Sequence, residues 1–387
     1  MMKLDKVTDY YPYMEKIDSS IEDEIKDKLK FLDNYKVTKE KILSSLEKDS
    51  LDEFDFYNLI SDEAIKYLDK IAIKAHQKRI KYFGNNVYLF SPIYIANHCE
   101  NHCKYCGFKV GSKIKRTKLN LEEIEKEMIY LAEEGIEDIL ILTGESNKNS
   151  SIEHIGEAVK LATKYFRVIG LEIYPANISD YKYLKKCGAD FVTVFQETYA
   201  ETNYDFYHPD GNKRSLSYRL NTQERAILAG IRGVGFGVLF GLSNPLKDAF
   251  CMALHANLLQ NKYPHAEISI SLPRIRPTVG IEHLNLVDVS EKKLFQIMCA
   301  TRLFLPYASI TISTRESRVF RDLATKFGAT KLSASVDTGI GRRSGNIEYE
   351  DEGDEQFLIN DTRTVKEIKK DLEKNNLTVV LNDYINL

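Results

Sequence analysis

The sequence predicts an α/β protein: a (β/α)8 TIM-type barrel at residues 86–340, with an N-terminal helical extension at 1–85 and a short C-terminal extension at 341–387. Three observations support this fold class. Eight short β-rich runs alternate with amphipathic helical stretches, an order that favours parallel strands joined by helices. The span that holds them has the usual size of such a barrel. No glycine-rich phosphate loop follows the first strand, which counts against an open doubly wound sheet.

The first 85 residues are charged and rich in helix-forming residues, and no glycine occurs before Gly84. The segments EDEIKDKLKFLDNY and DEAIKYLDKIAIKAHQKRIKYFG carry apolar residues at helical spacing. They predict helices that pack outside the barrel.

The barrel strands are predicted from runs of β-branched and aromatic residues. These runs are YIAN (94–97), DILILT (138–143), VIGLEIY (168–174), FVTVFQ (191–196), VGFGVLF (234–240), EISISL (267–272), SITIST (309–314) and KLSAS (331–335). The helix between the first two begins after Asn120, with Glu123 three residues later, and ends at Gly135, which predicts a capping box and a left-handed exit. Asn221 and Glu224 repeat the pattern before ERAILAG.

The tail after the last barrel strand changes character. Its first part, GIGRRSGNIEYEDEGDEQF, contains paired arginines and an acidic run at 348–355, which predicts an exposed loop. Thr364 and Glu367 then form a capping pair before a short helix, and LTVVLNDY predicts a last strand.

Charge and hydropathy exclude several classes of partner. The 54 Lys and Arg residues nearly balance 57 Asp and Glu, so no basic excess exists to neutralise nucleic-acid phosphates. No apolar run approaches the roughly 20 residues of a membrane span. The start of the chain lacks the apolar segment of a signal peptide, so the sequence predicts a cytoplasmic protein.

Six cysteines occur, and three of them lie within eight residues. Cys187, Cys251 and Cys299 lie in helix-like stretches and are predicted to be buried apolar thiols. The other three form a C-x3-C-x2-C cluster directly after the first strand, and they are Cys99, Cys103 and Cys106. In a barrel this loop lies at the rim where active sites occur.

Three thiolates can hold three irons of a [4Fe–4S] cluster and leave the fourth iron open to an exogenous ligand. The alternative is a Cys3His zinc site that uses His98 or His102. The spacing C-x3-C-x2-C does not match the usual zinc spacings.

With Tyr105 before its last cysteine, this cluster resembles the radical S-adenosylmethionine (SAM) superfamily. The string SPIYIANHCENHCKYCGF resembles a narrower branch, the tyrosine lyases of thiamine thiazole synthesis (2-iminoacetate synthases) and their hydrogenase-maturation relatives. Further motifs resemble that branch in the same order, and they are TGES (143–146), FQETY (195–199), FGLSNP (240–245), SLPRIRP (271–277) and STRES (313–317).

The resemblance implies two cofactors, a [4Fe–4S] cluster and SAM, whose reductive cleavage gives a 5′-deoxyadenosyl radical. It assigns Gly144 and Glu145 to the SAM ammonium group, Gln196 and Glu197 to the ribose, and Arg219 to the carboxylate. Glu172 and Tyr105 complete the predicted SAM site. The alternatives for these residues are a strand-ending turn and an ordinary salt bridge.

Two arginines follow predicted strands late in the barrel and are candidates for the carboxylate of an amino-acid substrate. We expect Arg315, with Ser313 and Ser335 nearby, to bind this carboxylate. Arg276 is the second candidate, and Arg274 is expected to be structural. For each arginine, an ion pair between loops remains the alternative.

The resemblance implies cleavage of the Cα–Cβ bond of L-tyrosine to 2-iminoacetate (dehydroglycine) and p-cresol, for the thiazole of thiamine. It also implies a reductant protein of flavodoxin or ferredoxin type and a thiazole synthase subunit as partners. The hydrogenase-maturation relatives carry extra C-terminal cysteines for a second cluster, whereas no cysteine follows Cys299 here. Two further alternatives stay open: a non-enzymatic zinc-binding scaffold, and a lyase for another aromatic amino acid such as tryptophan.

Overall fold

Eight parallel strands close into a barrel in the computed structural model, which describes residues 3–276, 284–343 and 359–381. Each strand pairs with the next, and β8 and β2 both pair with β1. The strands are β1 (Asn86–Ala96), β2 (Asp138–Thr143), β3 (Val168–Glu172), β4 (Phe191–Thr193), β5 (Gly233–Gly237), β6 (Glu267–Ser271), β7 (Ser309–Ile312) and β8 (Lys331–Ser333). The predicted (β/α)8 barrel is therefore confirmed.

Helices precede, surround and follow the barrel. Those before it are α1 (Ile21–Leu32), α2 (Lys39–Glu47), α3 (Glu53–Ile60) and α4 (Leu68–Phe83). Those between strands are α5 (Leu121–Glu133), α6 (Ile152–Ala162), α7 (Ile178–Cys187), α8 (Glu201–Tyr207), α9 (Leu216–Leu220), α10 (Thr222–Leu228), α11 (Pro245–Lys262), α12 (Glu291–Phe304) and α13 (Arg318–Phe327). Of the helices in the described residues, none is both long and apolar enough to cross a lipid bilayer.

Two of the three predicted capping boxes form, the first of them at the start of α5. The Asn120 side chain accepts from the backbone N–H of Glu123, and the Glu123 carboxylate accepts from that of Asn120. The second prediction is wrong because α9 ends at the residue before Asn221, so this residue has near-helical backbone angles and makes no side-chain cap. Its amide instead donates to the Tyr10 hydroxyl at 3.0 Å.

Glycines on β5 make room inside the barrel. A Cβ at Gly235 would lie 2.4 Å from Thr193 Oγ1, and one at Gly237 would lie 2.5 Å from the Phe195 ring. Since successive side chains of a strand point to opposite faces, the inward positions of β5 are left empty for the side chains of β4. Next to β5, the interior of the barrel is thus filled by side chains of β4 and of the residues that follow it.

The N-terminal segment before α1 lies across the rim of the barrel. Leu216 donates its N–H to Val7 O at 2.7 Å, and the Arg214 guanidinium donates to the carbonyl oxygens of Leu4 and Asp5. These contacts tie the beginning of the chain to the segment that leads into α9.

The C-terminal part adds α14 (Val365–Lys374) and β9 (Thr378–Val380), which pairs with β1. The predicted capping pair forms, because Thr364 Oγ1 accepts from the backbone N–H of Glu367 and donates to its carboxylate. The acidic run at 348–355 lies outside the described residues. The division of the chain at residues 85 and 340 stays a prediction. Burial of the three scattered thiols is confirmed for Cys187, Cys251 and Cys299.

Candidate active site

The cysteine cluster lies in the loop that follows β1 at the carboxyl ends of the strands. Two of the hydrogen bonds that fix this loop are donated by the backbone N–H groups of Glu100, to Glu145 O at 3.0 Å, and Lys104, to Tyr207 O at 3.0 Å. The Arg116 guanidinium donates to the carbonyl oxygens of three loop residues, Asn97, Phe108 and Lys109. The loop is therefore held to two other loops of the rim and to itself.

All three thiols line one cavity of about 120 Å³. Cys103 is buried, and Cys99 and Cys106 are half-buried. Burial raises the pKa of Cys99 to about 11 and raises the pKa of the other two thiols as well. Because metals bind thiolates, these groups need a strongly cationic centre to lose their protons.

The arrangement distinguishes a cluster from a single metal ion. In the described part of the chain, no three His, Cys, Asp or Glu side chains converge closely enough to hold one ion. Cysteines of a [4Fe–4S] cluster bind different irons, so they surround a space and do not converge on a point. The three thiols around one cavity fit the cluster, and the arrangement counts against a Cys3His zinc site.

Gly144 lies where β2 ends against the cysteine loop. Its N–H donates to Ala96 O at 2.9 Å, and a Cβ at this position would lie 2.2 Å from His98 O. Only glycine permits this approach, because a real Cβ atom essentially never comes within 3.0 Å of another heavy atom. Gly144 therefore permits the close approach of the cysteine loop to β2, and its contact with SAM stays a prediction.

Four charged side chains form a buried cluster beside the thiols. Glu145 Oε1 accepts from Arg219 Nη1 at 3.0 Å, and Glu197 Oε1 lies 2.7 Å from Lys213 Nζ and 3.6 Å from Arg219 Nη2. Lys213 Nζ also lies 3.8 Å from Glu145. The two carboxylates and two cations in this wall of the cavity therefore give the cluster a net charge of zero.

The state of Glu145 follows from its neighbours. Burial by itself raises the pKa of this carboxyl, but Arg219 and Lys213 outweigh burial and lower the pKa below its usual range. Asn101 Nδ2 donates to Glu145 Oε2 at 2.8 Å, while Asn101 Oδ1 accepts from the Lys213 N–H at 2.9 Å. Glu145 is thus an ionised carboxylate that faces the cavity.

Glu197 sits in a left-handed backbone conformation, with φ of 68°. The two residues after it are held by Asp248 on α11, whose Oδ1 accepts from Thr198 Oγ1 and from the Tyr199 N–H, both at 2.9 Å. Conformations of this kind persist where the surroundings enforce them, often at functional sites. Asp248 therefore helps to hold Glu197 toward the cavity.

Tyr105 closes one side of the thiol cavity, and its hydroxyl lies 2.8 Å from His208 Nε2. His208 Nδ1 lies 2.9 Å from Tyr204 O, a carbonyl that only accepts, so Nδ1 donates and Nε2 accepts the Tyr105 proton. Burial lowers the pKa of His208 well below its usual value, which keeps the ring neutral.

Gln196 does not reach the cavity. Its side chain is fully buried, with Nε2 donating to Val194 O at 2.9 Å and Oε1 accepting from the Gly237 N–H at 3.3 Å. Because both ends of the amide are used by the barrel backbone, the structure gives Gln196 a structural role and brings only Glu197 of the predicted pair to the cavity wall.

A second cavity, also of about 120 Å³, occupies the barrel lumen beneath the thiols. Glu172, Phe195 and Arg315 line both cavities, so the two spaces adjoin. Ser313 lines the lumen as predicted. Burial and the nearby Glu197 raise the pKa of Glu172 to about 7, despite Arg315.

The remaining arginines are engaged by Glu316. The Arg274 guanidinium is buried and pairs with both oxygens of this carboxylate, as a structural residue would. Arg276 lines the thiol cavity, yet its Nη2 donates to Glu316 at 2.8 Å and its Nε to Arg315 O at 3.0 Å. Ser335, with φ of 48°, lines neither cavity; its carbonyl accepts from the Arg343 guanidinium at 2.8 Å.

Three residues of this site were not found from the sequence: Asn101, Lys213 and His208. Asn101 lies within the CENHC string, so its place in the motif was an available signal. Both Lys213 and His208 lie between α8 and α9, Lys213 in a short 3-10 turn (Asn212–Arg214) and His208 directly after α8. A lone Lys or His there is normally a surface residue, and the sequence alone carried no signal for them.

Residues 93–248 match the Radical SAM superfamily, and residues 271–378 match the Biotin and Thiamin Synthesis associated domain. The chain is similar to 2-iminoacetate synthase of Escherichia coli (strain K12), with 34% identity over 342 residues that cover 88% of this chain and 89% of that protein. 3-Methylornithine synthase of Methanosarcina acetivorans is 29% identical over 213 residues, which cover 54% of this chain and 58% of that protein.

Solved structures agree with the fold. A crystal structure of HydG, a maturase of the [FeFe]-hydrogenase, has a TM-score of 0.86 and 28% identity, and covers 94% of this chain and 81% of that one. Methylornithine synthase (PylB) has a TM-score of 0.69 and 21% identity, and covers 88% of this chain and 97% of that one. The three thiols surround one cavity, a charged cluster lies beside them, and sequence identity to 2-iminoacetate synthase extends over nearly the whole chain. The chain therefore belongs to the 2-iminoacetate synthase family of radical SAM enzymes.

Proposed function

We propose that this protein is a radical SAM tyrosine lyase that cleaves the Cα–Cβ bond of L-tyrosine to 2-iminoacetate and p-cresol, in the synthesis of the thiamine thiazole. The observation that carries this proposal is the pair of adjoining cavities, one lined by three thiols and a zwitterionic cluster, with the half-buried Arg315 lining both. Membership of the radical SAM superfamily implies a [4Fe–4S] cluster and SAM as cofactors.

Cys99, Cys103 and Cys106 hold the cluster in this proposal, since they line one space and a [4Fe–4S] cluster takes thiolate ligands on separate irons. When bound, the cluster and SAM together supply a 5′-deoxyadenosyl radical. The protein orients the reacting groups and keeps water and other hydrogen donors away. Burial of the thiols at the top of a closed barrel suits that task.

The charged cluster binds the amino-acid end of SAM. That end carries one ammonium and one carboxylate group, and the cluster offers two carboxylates and two cations. Glu145, ionised by its neighbours, receives the ammonium group, and Arg219 with Lys213 receives the carboxylate. Glu197 stays near the ribose, and Tyr105 packs beside the cluster ligands.

Arg315 binds the carboxylate of tyrosine between the two cavities. A buried guanidinium neutralises a carboxylate in a site of low dielectric and fixes its orientation by two parallel hydrogen bonds. Ser313 contributes a hydroxyl beside it. Glu172 lies at the same junction, and its pKa of about 7 allows this carboxyl to take or give a proton near neutral pH. Arg276 holds Arg315 through its backbone carbonyl.

Two protein partners and a location belong to the same proposal. A reductant of flavodoxin or ferredoxin type delivers the electron, and a thiazole synthase subunit takes the unstable 2-iminoacetate. Lys113, Lys115 and Lys118 are exposed on the cysteine loop and offer a basic surface to an acidic reductant. Six unpaired cysteines suit the reducing cytoplasm.

The test is an anaerobic incubation of the reconstituted protein with SAM, dithionite and L-tyrosine. We expect about four irons and four sulfides per chain, and formation of 5′-deoxyadenosine, p-cresol and glyoxylate, the hydrolysis product of 2-iminoacetate. Tryptophan in place of tyrosine separates the two substrates, because indole-derived fragments would replace p-cresol. A protein that binds one zinc and no iron would refute the proposal.

A further inference from the structure

The floor of the barrel lumen carries an ion pair that takes no part in binding the cluster, SAM or the substrate carboxylate. Lys331, at the start of β8, donates from Nζ to the Asp138 carboxylate at the start of β2, and both line the lumen. Burial raises the pKa of Asp138, although Lys331 opposes this effect. The pair lies at the end of the lumen opposite to the thiols, because the chain enters each strand there.

One hydroxyl beside this pair has no partner. Ser333 is 4% exposed and lines the lumen, and its Oγ is buried without a hydrogen bond in the described residues. Its backbone carbonyl, by contrast, accepts from Arg321. Buried hydroxyls are nearly always hydrogen-bonded, so an unpaired one that faces a cavity points to a polar group of a ligand.

The lumen carries charged groups at both ends. Glu172 and Arg315 meet the thiol cavity at the top, and the Asp138–Lys331 pair lies at the floor. Between these ends one side of the lumen is mainly apolar, with Leu140, Leu142 and Phe191, and the other side, on β6 and β7, carries the hydroxyl groups of Ser269, Ser271 and Thr311. A ligand that matches this lining has a charged amino-acid end, a ring that packs on the apolar side and a polar group at the far end of the ring.

The two ends of the lumen are separated by part of one strand and the turn that follows it. Thr311 on β7 is the register partner of Lys331, and β7 ends one residue later, at Ile312. Arg315 lies in the following turn, in which the Glu316 N–H donates to Ser313 O at 3.2 Å. Arg315 and Lys331 therefore line the same lumen at different levels.

We propose that Asp138, Lys331 and Ser333 form the subsite for the phenol hydroxyl of the substrate and thereby select tyrosine over phenylalanine. This inference rests on the proposed function. The Lys331 ammonium and Ser333 Oγ donate to the phenol oxygen, and the phenol O–H donates to the Asp138 carboxylate. A plug that only closed the barrel would need no charges, since apolar side chains fill such a place at no cost in desolvation.

The experiment measures equilibrium binding of L-tyrosine and L-phenylalanine by anaerobic calorimetry, with the reconstituted protein and SAM but no reductant. In the wild-type protein we expect tyrosine to bind about 10- to 100-fold more tightly, the range for a hydrogen bond to a charged group. The double variant Asp138→Asn, Lys331→Met should bind both ligands within about 3-fold of each other, mainly through weaker binding of tyrosine.

Two further variants keep the result interpretable. Ser333→Ala removes only the unpaired hydroxyl, should fold normally, and should reduce the preference about 5-fold, as for one neutral hydrogen bond. The matched control is Arg232→Met, Glu267→Gln, because this ion pair lies at the same end of the barrel and lines neither cavity. The control should keep the wild-type preference.

Each remaining outcome counts against the subsite. If the wild-type protein binds tyrosine but both lumen variants keep its preference, the phenol is recognised elsewhere and only this inference fails. If the control pair changes the preference as much as the lumen pair, the effect is a general one of barrel charge, and the inference also fails. If the wild-type protein binds no tyrosine, the proposed function fails together with it.

Discussion

Replacing Gly144 by alanine tests whether the end of β2 sets the position of the cysteine loop. Gly144 does not have a positive φ, so the local backbone conformation is one that alanine can adopt. The added Cβ, however, would lie 2.2 Å from His98 O and 2.8 Å from His98 C, both backbone atoms that cannot rotate away. His98 directly precedes Cys99, so any relief of this clash moves the first cysteine.

The size of the effect follows from the distances. Real Cβ contacts stay beyond 3.0 Å, so strand and loop must separate by at least 0.8 Å. Overpacking of this kind typically costs about 1–3 kcal/mol of folding free energy. A misplacement of about 1 Å at a reacting group costs on the order of 100-fold in rate. We expect Gly144→Ala to fold, with its rate of 5′-deoxyadenosine formation reduced about 100-fold.

The assay combines thermal unfolding, iron and sulfide content after reconstitution, and 5′-deoxyadenosine formation with dithionite. Gly135→Ala is the matched control. Its φ of +84° imposes strain of about 1–2 kcal/mol on alanine, but nothing lies within 4 Å of the added Cβ, and the residue precedes β2 at the far end of the barrel. The control should lose stability and keep full iron content and rate.

Cleavage of SAM by Gly144→Ala at the wild-type rate would show that the end of β2 does not set the position of the cysteine loop. A loss of rate in Gly135→Ala equal to that in Gly144→Ala would contradict the prediction as well, because stability and not loop position would then control the rate.

Three other predictions test separate parts of the structure. Cys103→Ala should abolish 5′-deoxyadenosine formation. Its control is Cys187→Ala, which replaces a buried thiol outside the loop and should keep the iron content. Retained turnover in Cys103→Ala would show that this cysteine is not needed for SAM cleavage. Burial raises the pKa of Asp248 to about 7, so between about pH 4 and 7 the native state holds a proton that the unfolded state releases. As the pH rises through this range, the free energy of unfolding of the wild-type protein should therefore fall relative to that of Asp248→Asn, by up to about 4 kcal/mol in urea unfolding. Equal pH profiles of the two proteins would contradict this. Asn120→Ala should lower the melting temperature through loss of about 1 kcal/mol of capping energy, with unchanged turnover.

Much of the fold was predictable because it depends on local pattern. Each of the eight predicted strands overlaps an observed strand, but the ends differ: β1 begins at Asn86, eight residues before its predicted start, and β4 stops at Thr193, short of the predicted Gln196. The Asn120 cap was predictable for the same reason. The Asn221 cap failed because a second helix ends directly against α10, a tertiary arrangement that the local pattern does not reveal.

The site was predictable only where motif and strand end coincide. Glu145 and Glu197 follow strands and reach the cavity, as expected. Gln196 neighbours Glu197 in the same motif, yet both ends of its amide bond to the barrel backbone, at Val194 O and the Gly237 N–H. Lys213 comes from the segment between α8 and α9 that the N-terminal residues hold against the rim, so its burial required the whole fold.

The sequence by itself determined the barrel, the position of the cysteine trio at its rim and the family, because hydropathy period and motif spacing are local properties. Only the tertiary structure decided which charges meet, that Glu316 engages Arg274 and Arg276, and which polar groups line the lumen floor. The physical reason is that pairing and burial depend on distances between residues far apart in the chain, such as Asp138 and Lys331, which are separated by 193 positions, and no local pattern carries that information.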